Sequence, residues 1–117
     1  MEFLVLMKLS EDGVGETEEQ NRAIVEKKIL PSIEMLLGME KEGMLSGGFF
    51  SGQRSAAFVM SVENEEILDD TIAELPCADI FEIEMIQLES LKDAQERDMK
   101  MLKSKASKAP ARKKATK

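Results

Sequence analysis

Four charged side chains near the predicted strands could bind a small molecule or move a proton. Glu82 and Glu84 alternate with apolar residues, and this spacing places both carboxylates on one face of a strand. Lys8 lies in the first apolar run, and Arg54 follows a glycine-rich stretch. A carboxylate buried in a cavity can act as a general base beside a cation that holds an anionic substrate. The pattern predicts Glu82 as the catalytic base and Lys8, Arg54 and Glu84 as substrate-binding residues.

The same charges also have a simpler interpretation. Alternating charges are common on strands near the edge of a sheet. Ion pairs that stay exposed to water contribute little to stability. The alternative is therefore that Lys8, Glu82 and Glu84 form solvated pairs at the end of a sheet.

Several residue types that serve metal and nucleophile chemistry are missing. The chain has no His, Trp or Tyr and a single cysteine, Cys77. These absences exclude a His-ligated metal or haem, a Ser-His-Asp or Cys-His system, and a thiolate metal cluster. No calcium-loop spacing occurs either. The sequence predicts neither a metal site nor a cofactor.

Charge divides the 117-residue chain into unlike parts. Residues 1–91 carry six basic and twenty acidic side chains, a net charge of −14, whereas residues 92–117 carry ten basic and three acidic ones, a net charge of +7. We expect a domain over residues 1–91, a helix over 92–104 and a disordered basic tail over 105–117. The tail could bind nucleic acid or an acidic partner through its charge, or act only as a solubilising segment.

The compartment is predicted from what the sequence lacks. Its apolar runs are much shorter than the roughly 18 residues of a membrane span, so no membrane association is expected. A single cysteine cannot form an internal disulfide, and nothing points to an oxidising compartment. The predicted location is the cytoplasm.

The pattern of apolar residues and turn signals indicates an α+β fold. The predicted elements are strand 3–9, helix 17–43, a hairpin of strands 49–54 and 56–62, helix 64–75, strand 79–88 and a third helix 89–105. Thr17 and Asn64 are the expected N-caps of the first two helices, and Gly43 is the expected stop of the first. The order β-α-β-β-α-β is typical of a ferredoxin-like fold with a four-stranded antiparallel sheet. Pro31 lies inside the first helix, where it should kink the helix or split it.

The first and third strands are apolar on both faces, which favours a dimer. The residues concerned are Phe3, Leu4, Val5, Leu6 and Met7 in one strand and Ala57, Phe58, Val59 and Met60 in the other. Two helices can cover only one face of the sheet, and a large bare apolar face is unusual on a monomer. We expect a homodimer or higher oligomer in which two sheets pack together and enclose a cavity. The alternative is that the C-terminal helix folds back over the open face.

Several segments resemble the muconolactone isomerases of the dimeric α/β barrel superfamily. They are the opening Met-x-Phe-x-Val-x-Met, residues 52–63, Asn64-Glu65-Glu66, and Leu75-Pro76 before the last strand, and the resemblance covers about residues 1–90. It implies a cofactor-free dimer that transfers a proton on a small lactone bound in the barrel. It also implies a catalytic carboxylate on the first helix, for which Glu34 is the candidate; the alternative is a solvated helix residue.

Overall fold

The chain is described by a computed structural model that covers residues 1–104; the predicted tail, 105–117, lies outside the described residues. The elements are β1 (Glu2–Leu9), α1 (Glu18–Ile24), a π turn (Val25–Ile29), α2 (Leu30–Lys41), β2 (Leu45–Phe49), β3 (Ala56–Ser61), α3 (Glu65–Ala73), β4 (Phe81–Leu88) and α4 (Leu91–Lys103). The predicted α+β class and element order are confirmed.

The four strands form one antiparallel sheet in the order β2-β3-β1-β4. β1 lies in the centre between β3 and β4, and β2 and β4 are the two edges. This is the ferredoxin-like arrangement, with α4 added at its end. The alternation of side chains along each strand then decides which residues face the helices and which face away.

One face of the sheet forms the hydrophobic core with the helices. Phe3, Val5 and Met7 of β1 are almost fully buried there, together with Phe58 and Met60 of β3. Helical residues complete the same cluster, among them Ile29, Leu36, Leu68 and Ile72. Burial of these side chains is the main favourable term in the folding of the domain.

Pro31 is accommodated by a π turn rather than by a break in the helix. α1 begins after Thr17, whose hydroxyl accepts a hydrogen bond from the Gln20 amide at 3.1 Å, the predicted N-cap. The widened turn Val25–Ile29 then leads directly into α2, with Pro31 in its first turn. The backbone stays helical through this junction, since the Leu30 amide donates to the Val25 carbonyl oxygen, and the wider π turn accommodates the hydrogen bond that proline cannot make. α2 ends before Gly43, the predicted stop, at φ 81°.

The first strand of the hairpin lies earlier than the sequence predicts. β2 spans Leu45–Phe49, and the segment expected to be a strand, 49–54, mostly forms the turn to β3. The close packing of Gly47 against β3 explains why Gly47 and Gly48 lie within β2 and not in the turn. Gly47 has φ 122°, and a Cβ there would lie 2.3 Å from the Ala57 carbonyl oxygen. Only glycine permits this close approach of the two backbones.

α4 stands apart from the sheet. Every residue of α4 is exposed except Ala94, which is half-buried. The helix therefore leaves the sheet face opposite the core uncovered, and the alternative in which it folds back over that face is not observed. Within residues 1–104, no helix is both long and apolar enough to cross a bilayer.

Candidate functional site

The sheet face that points away from the helices, called the open face below, has an apolar centre. Leu4 and Leu6 of β1 and Ala57 and Val59 of β3 are half-buried there, and Ile86 and Leu88 of β4 are exposed by 41% and 38%. Leu4 lies in the middle, paired with Val59 on one side and Ile86 on the other. The two-sided apolar pattern predicted for β1 and β3 therefore corresponds to a core face and a bare face.

Charged side chains occupy one end of the open face. Lys8 lies directly opposite Glu82 in the pairing of β1 with β4, and Leu6 lies opposite Glu84. Together with Ile83 they line a shallow pocket of about 290 Å³. The structure thus brings together three of the predicted site residues, Lys8, Glu82 and Glu84, which are called the charged end below.

Ser10 fixes the position of the charged end. Its amide and its hydroxyl both donate hydrogen bonds to the Ile80 carbonyl oxygen, at 2.9 and 2.8 Å. Ile80 immediately precedes β4, so the two bonds hold the end of β1 beside the start of β4. The register between Lys8 and Glu82 follows from this anchor and from the antiparallel ladder.

The charged end is open to water in the single chain. The side chains of Lys8, Glu82 and Glu84 are exposed. No ion pair joins them among the pairs found in residues 1–104. A general base that depends on burial therefore needs something beyond this one chain to cover it.

Arg54 and Glu34 lie elsewhere. Arg54 is exposed in the turn between β2 and β3, where it lines a separate pocket of about 490 Å³ together with Ile33 and Phe49. Glu34 is exposed on α2, in the layer that covers the core face. Because the sheet lies between α2 and the open face, Glu34 does not meet the charged end within one chain.

A small apolar groove between α2 and β2 was missed by the sequence reasoning. It measures about 110 Å³ and is lined mainly by Ile33, Leu36 and Leu37 of α2 and by Leu45 and Phe49 of β2. Gly47 and Gly48 also border it and add no side chains to fill it. The glycine pair is the sequence feature that could have indicated the groove. Because the sequence pattern predicts the strand at 49–54, it assigns the two glycines to a loop and not to β2.

Cys77 is a structural residue rather than a reactive one. Burial raises the pKa of its thiol, against a smaller opposing effect of its contact with Ser32. The buried Ser32 hydroxyl donates to the Lys28 carbonyl oxygen at 2.7 Å and accepts from the Cys77 amide at 2.9 Å. Ser32 thereby ties the π turn to the connection that precedes β4.

Comparison with known proteins adds no family to this description. A scan against models of protein families and a search of curated proteins both find no match to the chain. The residues that the structure describes contain no group of three or more His, Cys, Asp or Glu side chains that could hold a metal ion. The candidate functional site is therefore the open face with its charged end.

Proposed function

We propose that two copies of the chain pack open face to open face and form a dimeric α/β barrel that binds a small molecule, resembling the muconolactone isomerases. The observation that supports this is an apolar sheet face left bare by all four helices of residues 1–104. Face-to-face packing of two sheets, about 10 Å apart, covers that face in both copies. The charged end then faces the space between the sheets. We place this dimer in the cytoplasm, because one cysteine offers no internal disulfide.

Burial of the apolar area of the open face approximately offsets the free-energy cost of forming a dimer. Six side chains of each copy, Leu4, Leu6, Ala57, Val59, Ile86 and Leu88, would lose their remaining contact with water. Each contributes on the order of 1 kcal/mol, since each is already partly buried. The total, on the order of 10 kcal/mol, is comparable with the association cost of about 4–15 kcal/mol. We therefore expect the dimer to depend strongly on each central side chain.

The charged end supplies groups for a cofactor-free isomerisation. Glu82 would remove a proton from the carbon next to the carbonyl of a small lactone or of an aromatic-derived acid. Lys8 lies opposite Glu82 and would donate a hydrogen bond to the substrate oxygen on which negative charge develops. The protonated Glu82 would then return the proton to a second carbon, which shifts the double bond. Glu84 would orient the substrate, whereas Arg54, which lines a different pocket, is left out of this site.

We assign the proton transfer to Glu82 rather than to Glu34. The sheet separates Glu34 from the charged end, so Glu34 would need a conformational change or a partner to reach a substrate there. An enzyme of this kind needs no metal or organic cofactor, because proton transfer is the whole reaction.

A thermal-shift screen of small lactones and aromatic acids on the full chain tests this function. A ligand of the charged end should raise the melting temperature of the wild type and lose its effect in Glu82→Gln or Lys8→Met. The matched control is Glu66→Gln, which removes the same charge at an exposed site on α3. If a ligand still raises the melting temperature of both site variants, or loses its effect in the control as well, Lys8 and Glu82 do not belong to the binding site.

The charge division of the chain favours one other function. The acidic domain would then be a non-catalytic dimerisation module, and the basic tail, 105–117, would bind nucleic acid or an acidic partner. DNA binding that weakens steeply with salt and disappears when residues 105–117 are deleted would support it. A ligand-induced thermal shift that survives the same deletion would support the barrel site instead.

A further inference from the structure

α4 has an apolar side that nothing in its own chain covers. Leu91 and Leu102 are exposed by 90% and 77%. They are eleven residues apart, which is three helical turns, and therefore lie on the same side of the helix. Two such leucines on a protruding helix are costly to leave in water. The helix is therefore suited to dock against a surface outside its own chain.

The groove between α2 and β2 has the size and character to receive one of these leucines. Its volume of about 110 Å³ is close to that of cavities that hold a molecule of benzene, about 150 Å³. Leu37 at its rim is exposed by 49%. On its floor, Phe49 and Phe58 meet edge to face with ring centroids 6.2 Å apart. One aliphatic side chain would fill this space and shield the rim.

The groove of the same chain is not accessible to α4 without crossing the open face. α4 follows β4 after only two residues, and β4 and β2 are the opposite edges of the sheet. Leu102 lies about 17 Å along α4 from Leu91, so it could cover the roughly 14 Å of three strand spacings only if α4 lay across the sheet, whereas α4 is exposed and stands apart from the sheet. In an open-face dimer with a two-fold axis parallel to the strands, however, β4 of one copy lies beside β2 of the other. α4 then starts beside the β2 edge of the second copy, and because the two sheets are about 10 Å apart and Leu102 lies about 17 Å along α4 from Leu91, Leu102 can reach the groove behind that edge.

Charge favours the same partner. Glu40 is the charged residue that lines the groove. Leu102 is followed by Lys103, and residues 92–117 carry a net charge of +7 against −14 for residues 1–91. Attraction between these two parts opposes the repulsion between two acidic domains.

From these features we infer that α4 is a docking arm, which inserts Leu102 into the groove between α2 and β2 of a second copy and places Lys103 beside Glu40. The inference rests on the open-face dimer proposed above. It goes beyond that dimer because it adds a second, reciprocal contact outside the barrel. Each copy gives one helix and receives one.

Cysteine cross-linking between two single-site variants tests the arm. Leu102→Cys and Leu37→Cys proteins of full length, one of them carrying a size tag, are mixed and oxidised. We expect a mixed disulfide between the two proteins. The matched control replaces Leu37→Cys by Ile67→Cys, an exposed apolar site on α3, where we expect none. The native Cys77 is buried and should not take part.

The outcomes separate this inference from the dimer itself. Leu102→Ala should weaken dimerisation about tenfold for each leucine withdrawn, measured by sedimentation equilibrium. Glu40→Lys or Lys103→Glu alone should also lower the affinity of the dimer, and the two changes together should restore it. A wild type that is dimeric but gives no mixed disulfide overturns the docking arm and leaves the barrel. A monomeric wild type overturns both, and a disulfide formed within one Leu37→Cys, Leu102→Cys chain shows docking in cis.

Discussion

A single charge in the middle of the open face should convert the dimer into a folded monomer. Leu4 is the central residue, with Val59 and Ile86 as its neighbours on the adjacent strands. Leu4→Glu places a carboxylate there. In one isolated chain Leu4 is only half-buried, so the new side chain can still reach water and the domain should fold.

The free energy of dimerisation should fall by a large amount because each copy of the symmetric dimer carries the substitution. Each copy loses the burial of one leucine, on the order of 1 kcal/mol. Each copy must also desolvate a carboxylate without a cation beside it, which costs several kcal/mol in a buried position. Two carboxylates near the axis repel each other as well. The dissociation constant should therefore rise by at least about a thousandfold, which corresponds to roughly 4 kcal/mol.

Sedimentation equilibrium over a wide range of protein concentrations measures this change, and circular dichroism reports whether the domain is folded. Gln87→Glu is the matched control, because it adds the same charge to β4 at an exposed position on the opposite face of the sheet. It should leave the dimer intact. If Leu4→Glu stays dimeric, or if the wild type is already monomeric, the open face is not an interface and the barrel cavity does not exist.

Three further predictions concern the stability of the domain. Ser32→Ala leaves a buried backbone amide without its acceptor and should cost about 1–3 kcal/mol in urea unfolding, whereas Ser51→Ala, at an exposed position in the turn before β3, should cost little. Asn64→Ala removes the N-cap of α3, whose side chain accepts from a backbone amide at 2.9 Å, and should cost about 1 kcal/mol by the same measurement. The hydrogen bond from Lys28 holds the pKa of Asp79 below its ordinary value, so this pair contributes stability above that value and loses it as the pH falls through the lowered pKa. Lys28→Met should therefore flatten the acid limb of a stability-versus-pH curve; an unchanged limb would contradict the role of the pair.

The parts of the fold that sequence reasoning predicted correctly are set by local chemistry. Thr17 and Asn64 cap helices because a side-chain oxygen three residues before a free amide can accept from it, whatever the rest of the chain does. Gly43 ends α2 at a positive φ for an equally local reason. The alternation in β1 predicted its two faces because side chains of a strand point to opposite sides.

The sequence-based predictions are wrong or incomplete where contacts between residues distant in sequence determine the structure. β2 lies at Leu45–Phe49 because Gly47 permits close contact with the backbone of Ala57, a neighbour that becomes visible only in the folded sheet. The pairing of Lys8 with Glu82 follows from the register of strands more than seventy residues apart. Sequence patterns identify Lys8 and Glu82 as candidates, but they do not show that Arg54 lines a different pocket.

The charge of the proposed cavity also decides which ligand should bind. Each charged end has one lysine and two carboxylates, Lys8 against Glu82 and Glu84. A two-fold axis parallel to the strands brings both charged ends to the same end of the barrel, where carboxylates outnumber ammonium groups by two. A ligand carboxylate would meet this excess in a site of low dielectric constant, whereas a neutral lactone would accept a hydrogen bond from Lys8 without the repulsion. We therefore expect a lactone to raise the melting temperature more than the hydroxy acid obtained by opening its ring. Glu84→Gln should reduce the difference in melting temperature between the lactone and the ring-opened acid, and Glu66→Gln should leave that difference unchanged. Tighter binding of the ring-opened acid to the wild type would mean that the two charged ends do not meet.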